Sequence, residues 1–184
     1  MGVGRLLVRG AIGTFFIGHG TQKLFGWFGG SGPEGTAGFF ESIGIRPGRR
    51  NAVAAGTAEA GGGLLLALGL ATPAAATALS SVMLTAIRHV HFKNGPWSSD
   101  GGYEYNAVLL ATLFVLVDEG PGPLSLDAAR GKVHSGLGWA TAMLALAAAG
   151  SYAATAAGAA GEDVEDEATP REEAVEAEKA GEVL

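Results

Sequence analysis

The stretch AVAAGTAEAGGGLLLALGL, residues 52–70, is nineteen residues of small and apolar side chains with a single charge, Glu59. A helix that crosses a bilayer needs roughly 20 mainly apolar residues, and this stretch approaches that length. A soluble surface helix would show a polar stripe along one face, and this one shows a lone carboxylate. Its glycines would be costly in a soluble helix, but in lipid they let helix backbones approach closely. Ala55, Glu59 and Gly63 fall at i, i+4 and i+8, so the carboxylate stands in a stripe of small residues. Too short to snorkel from mid-span, Glu59 must either be neutral, as packing glue between helices, or pair with a cation from another helix. Ionisable groups at this depth are candidates for a functional site.

Four further stretches have a similar character: about 6–27, 74–90, 103–117 and 137–160. The stretch at 103–117 is short, and 137–160 is alanine-rich and the least hydrophobic. Breaks lie between them. Residues 29–38 are rich in glycine, Thr72-Pro73 forms a turn because Pro cannot continue the preceding helix, and KNGPWSSDGG and DEGPGPLSLD bracket the fourth stretch. Within the first loop, GFFESIGI reads as a short amphipathic piece at the membrane interface. Trp27, Trp97, Tyr103 and Tyr105 lie near span ends, where such rings favour the headgroup region. The expected fold is therefore all-α, a transmembrane helical bundle over residues 1–160, with 137–160 as an extra fifth span. The expected location is multi-pass in a membrane, with the lipid bilayer as the first partner.

Charge is segregated. Residues 161–184 hold ten Asp or Glu against two Lys or Arg, a net of −8. That leaves the first 160 residues at +2 within a whole-chain charge of −6. The tail is expected to be disordered or a transient solvated helix. The body, 48% of the whole chain being hydrophobic, has no basic stripe with interleaved aromatics, so nucleic acid is not an expected partner. Absence of cysteine excludes disulfides, thiolate nucleophiles and Cys-ligated metal. Any redox chemistry must then come from a bound cofactor or another subunit. The N-terminus does not read as a signal peptide, because Arg9 interrupts its apolar stretch.

The first span ends in TFFIGHGTQKLFGWFGG, residues 14–30, in which His19, Gln22 and Lys23 interrupt an apolar run. Lys23 lies one turn from the span's end, and His19, at i−4, shares its face. Ser81, Thr85 and Arg88 form a polar stripe on the third span, and Arg88 and His91, three apart, share a helical face. His89 and His91, two apart, point to different faces and make a poor metal pair. Glu104 opens the fourth span, where a carboxylate also suits a helix N-terminus. If the helices alternate in direction, Lys23, Arg88, His91 and Glu104 gather at one leaflet with Glu59 deeper. The expected pocket is thus His19, Lys23, Glu59, Arg88, His91 and Glu104; Lys23 and Arg88 have snorkelling as the plain alternative, and Arg9 is expected to snorkel. Gly20, Gly26, Gly62 and Gly63 are the glycines expected at helix contacts.

These residues also carry a likeness. GTQKLFGW, EAGGGLLLALG, ATPAA, Glu104 and GPGPLSLD (Gly120, Gly122, Ser125 and Asp127) occur in the order typical of the DoxX family of small bacterial membrane proteins, which the chain resembles over about residues 5–127. The resemblance implies a four-helix membrane bundle related to the small membrane subunit of thiosulfate:quinone oxidoreductase. It implies a subunit of a membrane redox complex, with soluble or membrane redox subunits as partners. The ligand would be a quinone or a small oxyanion. The alternative is a non-catalytic adaptor that recruits or stabilises other proteins, with homo-oligomerisation open in either case. Lys and Arg in the loops are balanced between the two sides, and the resemblance favours a cytoplasmic N-terminus.

Overall fold

The computed structural model describes residues 2–156; the acidic tail and the last residues expected in the fifth span lie outside them. All regular secondary structure among the described residues is helical, with no strand. Helix α1 (Val3–Phe25) is followed by a 3-10 turn and α2 (Gly32–Ser42). Helix α3 (Gly48–Leu68) and α4 (Thr72–Ala86) come next, and α4 runs on as a π-helical turn (Ile87–His91) and a 3-10 turn (Phe92–Asn94). Helices α5 (Glu104–Asp118), α6 (Leu126–Ala129) and α7 (Leu137–Ala156) complete the bundle.

Local sequence sets the boundaries. Gly26, at φ 71°, takes the left-handed conformation that ends α1, and its N–H bonds back to Gln22. It closes a helix rather than packing two together, as the sequence suggested. Pro33 sits in the first turn of α2, where its missing N–H is harmless. The interfacial helix therefore starts at Gly32, inside the segment read as a glycine-rich loop. Its buried Thr36 and Ala37 explain why it packs on α3 rather than floating at an interface.

Helix α1 packs chiefly on α3, α3 on α4, and α4 on α5. The α1–α3 contact is made backbone on backbone. A Cβ at Gly20 would collide with Ala60 N and Gly56 O, and one at Gly63 with Gly13 O. Gly62 instead faces Leu79 of α4. One apolar core joins α1, α3, α4, α5 and α7 through Phe16, Leu66, Leu79, Leu113 and Met143. Helix α7 is seated on α4: Met143 Sδ accepts from Ser80 at 3.5 Å, and Thr85 and Ser151 share a hydrogen bond of 2.9 Å.

Polarity is arranged inside out. Arg9, Glu59, Asn106 and Asp127 are buried, while Leu64, Val108, Val115 and Leu146 are exposed. Apolar surface of this extent marks contact with lipid or protein rather than water. Among the described residues one helix, Leu137–Ala156, is long and apolar enough to cross a membrane by composition. This reverses the ranking read from sequence, in which that stretch was the weakest. Helices α1 and α3 have the length, at 23 and 21 residues. However, α1 carries Arg5, Arg9 and Lys23, and α3 carries Arg49, Arg50 and Glu59. Helices α4 and α5 have 15 residues each, about 22 Å at 1.5 Å per residue.

Candidate functional site

The close α1–α3 approach brings the last turn of α1 over the middle of α3. There Lys23 Nζ donates to Glu59 Oε2 at 2.6 Å. The side chains differ in access: Lys23 is 23% exposed and Glu59 4%. The short carboxylate stays behind, among small residues, and the long ammonium comes forward. The pair stands in the wall of a cavity of about 930 Å³, at the end of the bundle where α1 and α4 finish and α3 and α5 begin. The rest of the wall is mainly apolar, with Phe15, Phe39, Phe40 and Tyr105 as its aromatic surfaces.

His19 and His91 also line this cavity. His19 Nδ1 lies 3.1 Å from Gln22 Oε1, and Gln22 in turn donates to Phe28 O at 3.3 Å, tying the following turn to α1. The His91 ring bonds to the Gly101 carbonyl at 2.7 Å, which fixes the loop forming the cavity's rim.

Arg88 and Glu104 do not join them. The chain enters the π-helical turn at Ile87, and the wider turn changes the angle per residue. Residues three apart then no longer share a face. Arg88 turns to α7, donating to Ser151 Oγ at 3.3 Å and lying 5.6 Å from the Tyr152 ring centre. Glu104 accepts from Ser98 N at 2.7 Å and so fastens the Ser98–Asp100 turn. Its role is local, as its helix-start position allowed.

The motif of residues 120–127 lies at the opposite end and works as a clamp. Gly120 and Gly122 adopt positive φ, and Ser125 both donates to Gly122 O at 2.6 Å and caps α6 by accepting from Ala128 N. Asp127 then reaches the α3–α4 turn. Oδ1 accepts from Ala71 N at 2.8 Å, and Oδ2 accepts from Thr72 N at 3.0 Å and Thr72 Oγ1 at 2.9 Å. Burial pulls the Asp127 carboxyl upward, but these three bonds and nearby His134 outweigh it and hold it below its ordinary range.

Arg9 is the residue the sequence misplaced. It does not snorkel: it is fully buried, donating to Leu66 O and Ala67 O at the end of α3 and to Leu124 O at 2.6 Å. Asn106 was passed over as well; it is buried on α5, donates to Met83 Sδ at 3.3 Å and lines the cavity. A lone Asn one turn into an apolar span was the available signal. Among the described residues no group of three or more His, Asp or Glu is placed to hold a metal ion.

Buried polar groups, an apolar exterior and a charged pair at a cavity wall define an all-α membrane bundle. The DoxX family model matches residues 4–92, and over that segment the chain is similar to the DoxX family, a family of membrane proteins. The match takes in α1 to α4 with Lys23 and Glu59, and ends before Glu104 and the clamp motif. No curated protein and no solved structure matches the chain.

Proposed function

We propose that this DoxX-like protein is a multi-pass subunit of a membrane redox complex in a bacterial plasma membrane, and that its cavity receives a quinone headgroup. One observation carries the reading: a charged pair, with its cation forward, in the wall of a large and otherwise apolar cavity. The volume is in the range of small-molecule sites, which are mostly apolar with a few placed polar groups. A bound quinone would supply the electron-accepting chemistry. Lys23 has three N–H donors, one of which serves Glu59, leaving donors for a carbonyl oxygen. Glu59 holds the ammonium in place. The aromatic wall suits a flat ring; a small oxyanion would use the cation and leave that wall without a role. The chain has no cysteine, so partner subunits would pass the electrons.

The test is equilibrium binding of a short-chain benzoquinone to the detergent-purified chain. A hydrogen bond to a charged group contributes about 1.5–3 kcal/mol, so Lys23→Met weakens binding by about tenfold or more. Unaltered affinity in that variant contradicts the assignment.

A second reading, a non-catalytic adaptor, draws on the mutual satisfaction of Lys23 and Glu59, which lets the pair serve as a lock between α1 and α3. It predicts no saturable quinone binding and co-purification of partner proteins that the Lys23 variant loses.

A further inference from the structure

At the end of the bundle opposite the cavity, the chain leaves α6 through Gly131 at positive φ. Lys132 N returns to Asp127 O at 2.9 Å, and Gly136 N bonds to Asp118 O at 2.8 Å, so the connection to α7 is held against the bundle. The His134 ring meets Trp139 edge-on, 4.7 Å between centres. A second cavity of about 320 Å³ opens here, with Leu70, Pro73 and Ala74 on one side and Arg130, Lys132, His134 and Trp139 on the other.

Its electrostatics are one-sided. The single acid in the wall, Asp127, has both oxygens committed to Ala71 and Thr72. The side chains of Arg130 and Lys132 have no hydrogen-bond or ion-pair partner among the described residues. Position adds a second constraint. Trp139 lies in the first turn of α7, the helix whose composition suits a membrane crossing, and indole rings favour the headgroup level. Basic pockets between membrane helices at that level suit anionic headgroups.

We propose that this notch binds the phosphate of an anionic membrane lipid. Arg130 and Lys132 hold the phosphate oxygens, and Trp139, Leu70 and Ala74 face the glycerol and upper acyl carbons. Free phosphate shares the charge chemistry, but it would leave the apolar half of the notch uncovered.

The experiment follows the melting temperature of the full chain in non-ionic detergent during titration with short-chain phosphatidylglycerol, short-chain phosphatidylcholine or inorganic phosphate. Phosphatidylglycerol should stabilise saturably, and the other two should not. Replacing both cations (Arg130→Gln with Lys132→Gln) should weaken the phosphatidylglycerol effect by about tenfold or more. The control pair Arg49→Gln with Arg50→Gln, at the other end of α3, should leave it intact. Both target side chains are exposed, and the two single variants, each with a partial loss, keep the test readable should the double variant fold poorly. A wild-type response in the double variant, or equal responses to the two lipids, overturns the proposal. Inorganic phosphate stabilising as well as phosphatidylglycerol overturns the lipid assignment in favour of free phosphate.

Discussion

Glu59 and Lys23 show what single residues can reveal. Each is out of place in its own span, and alternation of helix direction sets the end of α1 beside α3, within reach of its middle, so their meeting was legible in the sequence. Arg9 was not legible. It sits where a snorkelling arginine would, and only the return of residues 124–127 over the α3–α4 turn seals it from solvent. Removing one partner of a buried ion pair costs roughly 3–5 kcal/mol, because the other charge is left uncompensated. Lys23→Met and Glu59→Gln should each lower the melting temperature in detergent. The double variant should lose clearly less than the sum of the singles, and strict additivity would show that the two groups are not coupled. Asp127 adds a pH signature. Its carboxyl is held below its ordinary range, so its contribution is present above the unfolded value of about 4 and disappears as pH falls through the folded value. Asp127→Asn should cost about 1–3 kcal/mol at neutral pH and flatten the loss of stability below about pH 4. An acid limb as steep as wild type would argue against the clamp.

At the scale of elements, the five long helices followed from apolar length, and their breaks from the glycine-rich residues 29–38 and the Thr72-Pro73 turn, whereas the helix-ending role of Gly26 did not. The π-helical turn after Ala86 did not follow, because sequence periodicity assumes the α-helical angle. That assumption placed Arg88 with His91, whereas the wider turn directs Arg88 to α7. The first half of helix α2 escaped for a similar reason: its glycines looked like a loop, and burial of Thr36 and Ala37 on α3 extends the amphipathic piece back to Gly32. The α1–α3 contact invites a direct check. Gly20→Val drives a side chain into the α3 backbone, where nothing flexible can yield, and should cost about 3 kcal/mol or more. Gly18→Val, with open space at its Cβ, should be tolerated. Equal melting temperatures for the two variants would contradict the packing.

For the whole molecule, the distribution of polarity points to lipid more strongly than any single span does. Charges inside α1 and α3 keep them from looking like independent crossings, yet Lys23, Glu59 and Arg9 find their partners within the bundle. The sequence overcounted the self-sufficient spans because it scored each helix alone; the bundle shares the cost of its polar groups among neighbours. Carbonate washing of membranes should leave the protein in the pellet, and its release into the supernatant would rule out integral insertion.

The most direct measurement of the central claim is photolabelling of the protein in membranes with an azido-benzoquinone, followed by peptide mapping. The account predicts saturable labelling of α2 and the first turns of α5, which carry Phe39, Phe40 and Tyr105, competed by unlabelled quinone and lost in Lys23→Met. Labelling confined to the lipid-facing surfaces around Leu64, Val115 and Leu146, unaffected by competitor, would contradict it.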